Sequence, residues 1–115
     1  VNVGADAEKT KFYDAFAYSP TTIPAETYGA GIPACQTFQD STMLVANKNL
    51  DDELVYTVAK TLWSKEGMEA MVMAAKTFTE MNLENAFMGA SMPLHPGAVK
   101  FWKEMGKEIP AKLMP

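Results

Sequence analysis

The sequence predicts an α/β fold in which one or two strands are followed by several helices. Residues 21–28 are β-branched and aromatic, and residues 42–46 form a short apolar run, both typical of strands. Three later segments have apolar residues at helical spacing behind a capping residue. Because two strands do not make an independently stable sheet, we expect partner strands to lie outside this chain.

Residues 1–18 are predicted to form a loose segment followed by a short helix. Residues 1–7 are small and mostly uncharged, as is common at mobile termini. Phe12, Tyr13 and Phe16 have helical spacing. Pro20 ends this helix, because the residue before a proline disfavours helical backbone angles.

Residues 19–31 are predicted to be an extended crossing segment. Pro24 lies inside it and cannot donate to a strand ladder, which favours an edge strand or a crossing segment over a central strand. A glycine-containing loop follows at 29–33.

The remaining residues, 41–115, are predicted to form a returning strand at 42–46 and the C-terminal helices. Asn49 or Asp51 can cap the first of these helices, and the acidic residues behind Asp51 suit the positive end of its dipole. Its buried face is predicted to comprise Leu54, Val55, Val58, Ala59 and Leu62.

Three more helices are predicted after it. Ser64 can cap one that runs to about Phe78, and a short one runs from Asn82 to Gly89. The last begins with Pro96 at its first position and ends at Gly106. Its inner face is predicted to comprise Val99, Trp102 and Met105.

Composition excludes several function classes. The net charge is −4, and all ten basic residues are scattered lysines, so we expect no nucleic-acid partner. No arginine is present to clamp a carboxylate in bidentate fashion, so such a clamp would lie outside this chain. The single cysteine, Cys35, cannot form an intramolecular disulfide and is predicted to be a small packed residue.

His95 is the only histidine and therefore the first candidate for catalysis or metal binding. A metal site needs more ligands than one histidine, and no nucleophile is placed beside it by spacing. Its position before Pro96 favours capping of the following helix. We therefore expect no catalytic residue, no metal site and no cofactor.

Four short motifs occur in the order found in one receptor family: IPAETY at 23–28, LDDELVY at 50–56, LENA at 83–86 and LHPGA at 94–98. In this respect the chain, from about residue 20 to 106, resembles the C-terminal portion of TAXI family TRAP transporter solute receptors. Glu26 stands where those receptors often have glycine, and Gly29 and Ala30 replace their usual Pro-Gly.

The resemblance implies the C-terminal part of a two-lobed periplasmic-binding-protein fold of type II-like architecture. Residues 19–31 would cross near its hinge, with Thr27 and Tyr28 beside the ligand. The residues themselves favour Tyr28 too, because it ends an extended segment and faces a glycine loop. Simple loop packing of Tyr28 is the open alternative.

The implied function is that of a periplasmic or extracytoplasmic solute-binding protein without catalytic activity. It would capture a small organic anion, such as a dicarboxylate or an amino acid, and deliver it to the TRAP membrane permease subunits. Its other partner would be the missing N-terminal lobe of the same receptor. Self-association of the isolated chain is expected, because its strand lacks neighbours.

Two alternatives come from other classes of protein. One is a stand-alone helical interaction module that uses the methionine-rich helix with Met68, Met71 and Met73. The other is a small enzyme that uses His95.

Overall fold

The computed structural model describes residues 3–115, which fall into two compact units. The first unit takes in the described part of Val1–Met43 together with Met88–Ala90, and the second comprises Leu44–Phe87 and Ser91–Pro115. The first unit contains helices α1 (Gly4–Lys9) and α2 (Phe12–Ala15) and strands β1 (Ser19–Ile23) and β2 (Cys35–Gln39). The second contains α3 (Asp52–Leu62), α4 (Lys65–Ala74) and α5 (Pro96–Glu104), with 3-10 helices at Lys76–Glu80 and Ala111–Leu113.

Strands β1 and β2 form an antiparallel hairpin, in which Ser19 pairs with Gln39 and Ile23 with Cys35. Aromatic side chains cover one face of it. The ring centroid of Phe12 lies 4.9 Å from that of Phe38 and 5.2 Å from that of Tyr18. These contacts fix α2 against the hairpin by burial of aromatic surface.

The start of the chain differs from the prediction of one short helix behind a loose segment. Two short helices form instead, and residues 1 and 2 of the predicted loose segment lie outside the described residues. The break has a local cause: the Thr10 hydroxyl donates to the Asp6 carbonyl oxygen at 2.9 Å, and Lys11 takes a left-handed conformation with φ 54°. Both features end α1 early.

The strands also lie elsewhere than predicted. Strand β1 ends at Ile23, just before Pro24, and its partner is the unpredicted β2 rather than residues 42–46. Residues 40–46 belong to no helix, strand or turn. The expectation of a buried returning strand at 42–46 is therefore wrong for this structure: no described strand pairs with it, and Leu44 is 77% exposed.

The core of the second unit lies between α3 and α5. Tyr56, Phe101 and Trp102 are buried there, and the rings of Trp63 and Phe87 meet Trp102 edge-on at centroid distances of 4.8 and 5.2 Å. These are the favoured geometries of packed aromatic pairs. Predicted inner residues Val99 and Trp102 are confirmed as buried, whereas Met105 is 43% exposed.

The helix ends follow the predicted capping residues. The Asp51 carboxylate accepts hydrogen bonds from the backbone N–H groups of Glu53 and Leu54 at 3.0 and 3.1 Å. Ser64 caps α4 by accepting from the Gly67 N–H at 3.0 Å. At the end of α5, Gly106 has φ 69° and the Lys107 N–H donates to the Trp102 carbonyl, which is the Schellman arrangement.

Two helical predictions are wrong in detail. Leu54 and Val58, placed on the buried face of α3, are 51% and 40% exposed, because α3 turns Tyr56 toward α5 instead. The predicted short helix at 82–89 is replaced by bends and a turn. The Asn82 side-chain oxygen accepts from the N–H groups of Glu84 and Asn85, as a capping residue does, but no helix follows it there.

Candidate functional site

Both residues predicted to contact a ligand lie in the loop that joins β1 to β2. The loop is closed by a hydrogen bond of 2.8 Å from the Glu26 N–H to the Ile32 carbonyl oxygen. Glu26 itself has φ 62°, a left-handed conformation that glycine adopts without cost. Glu26 adopts this conformation at some cost and places a charged side chain on the turn.

Thr27 and Tyr28 differ in how much of their polar surface remains available. The Thr27 hydroxyl donates to the Pro24 carbonyl oxygen at 2.8 Å, so it can offer a ligand only its lone pairs. Tyr28 is 75% exposed and has no hydrogen-bond partner among residues 3–115. The structure thus places both residues on one exposed turn, with the tyrosine ring and hydroxyl free to bind.

The Glu26 carboxylate is the third polar group of this turn. Its Oε1 lies 3.5 Å from the N–H of Gly31, across the loop. A carboxylate beside Thr27 and Tyr28 attracts an ammonium group and repels a second carboxylate. The turn can therefore combine hydrogen bonding to a polar ligand with attraction of a positive charge.

A small cavity of about 150 Å³ lies elsewhere in the first unit, between α1, α2 and the hairpin. Its lining includes Glu8, Tyr13, Thr21 and Gln36, but neither Thr27 nor Tyr28. The Tyr13 hydroxyl is buried without a partner in the described part of the chain. The cavity is large enough for ordered water, which could hydrogen-bond to this hydroxyl.

His95 occupies the structural position that its sequence predicts. Its Nδ1 accepts a hydrogen bond from the Gly97 N–H at 3.2 Å and lies 3.7 Å from an Asp52 carboxylate oxygen. The side chain is only 5% exposed, and Nε2 is buried without a partner within residues 3–115. The prediction that His95 caps α5 is confirmed. Neither of these two polar contacts is with a hydroxyl or a thiol.

A group of polar side chains that sequence reasoning missed connects α3 to α5. The Tyr56 hydroxyl donates to the Glu104 carboxylate, and Lys60 donates to both, at 2.9 Å to Tyr56 and 3.3 Å to Glu104. Lys100 pairs with Glu53 at 2.6 Å and lies 4.3 Å from the Tyr56 ring centroid. The four-residue spacing of Tyr56 and Lys60 was the available signal.

These contacts shift three pKa values in the directions that ion pairs favour. The hydrogen bond from Tyr56, then that from Lys60, lowers the pKa of Glu104. Hydrogen bonds to Tyr56 and Glu104 raise the pKa of Lys60, and the hydrogen bond to Glu53 raises that of Lys100. Because these groups face solvent at the edge of the α3–α5 core, they stabilise the pairing of the two helices rather than form a reaction centre.

Within residues 3–115, no group of three or more His, Cys, Asp or Glu side chains is arranged to hold a metal ion. Among the helices of that range, none has the length and apolar character needed to span a bilayer.

Comparison with known proteins identifies the family. The family model of the NMT1-like family matches residues 1–106, which is most of the chain. No solved structure matches it. The NMT1-like family is a periplasmic-binding-protein-like family related to solute receptors, and its members bind rather than catalyse. The match covers the hairpin, the Thr27–Tyr28 turn and all five α-helices, and the chain therefore belongs to the NMT1-like family.

Proposed function

We propose that this chain is the C-terminal portion of a TAXI-type TRAP transporter receptor that captures a small organic anion. Its membership of a solute-binding family supports binding of a small molecule in general. The four ordered motifs described above support the narrower assignment. The observation that carries the binding role is the exposed turn, in which Tyr28 is 75% exposed and unpartnered within the described residues.

The turn supplies part of a pocket. The Tyr28 hydroxyl donates to a ligand oxygen, and a lone pair of Thr27 accepts from a ligand N–H or O–H group. Glu26 favours a ligand that carries an ammonium group beside its carboxylate, so among small organic anions an amino acid fits better than a dicarboxylate. The carboxylate of the ligand is held by groups outside this chain, which contains no arginine.

The partners follow from the same proposal. A missing N-terminal lobe closes over the turn, and the ligand favours the closed state by contacting both lobes. The loaded receptor then delivers its solute to the TRAP membrane permease subunits. A receptor of this kind works on the extracytoplasmic side of the membrane, as is typical of solute-binding families.

Calorimetric titration of the complete receptor with a panel of amino acids and dicarboxylates tests this function. Tyr28→Phe should weaken binding about tenfold to 150-fold, the effect of one lost hydrogen bond to a charged group. Tyr18→Phe is a matched control, because Tyr18 packs in the aromatic cluster of the hairpin and should leave binding unchanged.

A second pair of variants tests the contribution of Thr27 to ligand binding. Thr27→Val should reduce affinity, whereas Thr79→Val should not, although both hydroxyls donate to a carbonyl three residues earlier at 2.8 Å. Equal effects of the two valine variants would indicate a loss of local structure instead of a ligand contact. No binding of any panel member would overturn the anion-receptor proposal.

The methionine-rich helix offers less support for an interaction module. In α4, Met73 is 89% exposed, but Met68 and Met71 are partly covered. One exposed methionine does not make the continuous soft surface that such modules use.

A further inference from the structure

Residues 40–48 directly follow β2 and have an unpaired apolar centre. Within residues 3–115, no hydrogen bond involves the backbone of residues 40–46. The three central side chains, Met43, Leu44 and Val45, are 39%, 77% and 66% exposed. A second strand can pair with a segment of this kind, because the unpaired backbone groups can form ladder hydrogen bonds and the exposed apolar side chains can be buried by the pairing.

The charge pattern of this segment indicates that the strand that pairs with it is the same segment of a second copy of the chain. Only its two ends are charged: Asp40 lies four residues before Leu44, and Lys48 lies four residues after it. Lys48 is already in the turn that the Leu50 N–H closes by donating to the Asn47 carbonyl oxygen at 3.0 Å, so it flanks the extended part of the segment. When two copies pair in antiparallel fashion about Leu44, Asp40 of each copy stands opposite Lys48 of the other. Opposite charges in directly facing positions stabilise a strand pair.

The same pairing matches the apolar residues. Met43 of one copy faces Val45 of the other, and the two Leu44 side chains meet at the two-fold axis. Moving the second copy by one residue places Asp40 opposite Asn47 or Asn49 and separates both charge pairs. Such a shift also exchanges the side chains between the two faces, so the charges select one register.

We propose that two copies of this chain associate through an antiparallel pair of strands formed by residues 41–47, with Asp40 of each copy facing Lys48 of the other just beyond the ends of the paired stretch. The interface is isologous, so each contact away from the axis occurs twice. The proposal does not depend on the solute-binding role, because none of these residues lies in the Thr27–Tyr28 turn. It goes beyond the general expectation of self-association, because it specifies which segment pairs, that the two strands are antiparallel, and which residues face each other.

Sedimentation velocity on the 115-residue chain over a range of concentrations tests the proposal. The dimer dissociation constant should rise roughly tenfold or more in Asp40→Lys and in Lys48→Asp, because each change creates two like-charged pairs. The double variant Asp40→Lys/Lys48→Asp should recover dimerisation, because both pairs are restored with reversed sign. Glu84→Lys, an equal charge change at another exposed position, should have no effect.

Asp40 and Lys48 are exposed, so the folded structure should survive in every variant, as circular dichroism can verify. Cross-linking gives a second measurement in a Cys35→Ser background. Leu44→Cys should form a disulfide-linked dimer on oxidation, because residue 44 faces its own copy, whereas Leu50→Cys lies six residues from the axis and should not.

Three outcomes would overturn the proposal. The chain could remain a monomer at high micromolar concentration, or its dimer could be insensitive to both single charge reversals. The double variant could also fail to recover what the single variants lose. Protection of residues 40–46 from hydrogen exchange in a monomeric complete receptor would show that another strand of the same receptor covers the segment.

Discussion

Gly97 at the start of α5 lies against the backbone of Asp52 at the start of α3. A Cβ atom at residue 97 would stand 2.2 Å from the Asp52 carbonyl oxygen and 2.9 Å from the Tyr56 nitrogen. Both neighbours are backbone atoms and cannot rotate away. The close approach of the two helices around Tyr56 and Trp102 therefore depends on the absence of a side chain at this position.

Gly97→Ala should destabilise the second unit by about 1–2 kcal/mol net, because the overpacking of this close contact costs up to about 3 kcal/mol. The gain in helix propensity, about 1 kcal/mol, offsets only part of the strain. Urea denaturation followed by tryptophan fluorescence measures the change, because both tryptophans lie in this unit. A variant as stable as the parent would show that α5 can move away from α3 without loss.

His95 should be replaceable by a residue that keeps its cap. Asn can accept from the Gly97 N–H, so His95→Asn should be about 1 kcal/mol more stable than His95→Ala, the usual value of an N-cap. His95→Asn also removes the buried unpartnered Nε2. Solute affinity of the complete receptor should be retained in His95→Asn. A loss of affinity at an unchanged melting temperature would instead identify His95 as a ligand contact.

Trp102 should contribute more to stability than any side chain on the outer face of α5. It is 5% exposed and contacts Trp63, Phe87 and Phe101, so Trp102→Ala should cost about 3–5 kcal/mol. Met105→Ala is the matched control, because Met105 is 43% exposed and should cost less than about 1 kcal/mol. Comparable losses for the two variants would mean that α5 is rotated.

The contacts of Glu104 predict that the free energy of unfolding decreases as the pH falls into the acidic range. Its pKa is lowered in the folded state, first by Tyr56 and then by Lys60, so its contribution is fully present above the unfolded value. That contribution is lost as the pH falls through the folded value, below the ordinary 4.5. Glu104→Gln should reduce the pH dependence of the free energy of unfolding in this range, whereas Glu84→Gln should not. Because Glu104 is exposed, the change should be small and should shrink in high salt.

Local signals predicted the helices of the second unit better than the strands of the first. Asp51, Ser64, His95 and Gly106 act through atoms within a few residues of themselves, so their capping could be inferred from short patterns. The hairpin could not be placed in the same way. The partner of β1 is chosen by pairing across a loop, and the polar sequence of β2 does not alternate with apolar residues as a half-buried strand would.

Ligand contact by Thr27 and Tyr28 stays a prediction, and only the local setting of Tyr28 could be inferred from the sequence. An aromatic residue beside a glycine loop is exposed by local geometry, and Tyr28 is exposed in the structure. The sequence predicts an extended segment through residues 19–31 instead of a turn at 26–32, because nothing in the residue type reveals that Glu26 adopts φ 62°. The Tyr56–Glu104 hydrogen bond spans 48 residues, and only tertiary packing brings its two groups together.

Glu26 gives the sharpest test of ligand class. Glu26→Gly should leave stability within about 1 kcal/mol of the parent, because relief of the left-handed conformation is offset by the greater chain entropy of glycine. Lys11→Gly, at φ 54°, is the matched control for this backbone effect. In the complete receptor, Glu26→Gly should weaken binding of amino acids and strengthen binding of dicarboxylates, because a negative charge is removed beside Thr27 and Tyr28. Calorimetry on both ligand classes measures the two changes. Parallel changes for amino acids and dicarboxylates would show that the Glu26 carboxylate does not face the ligand.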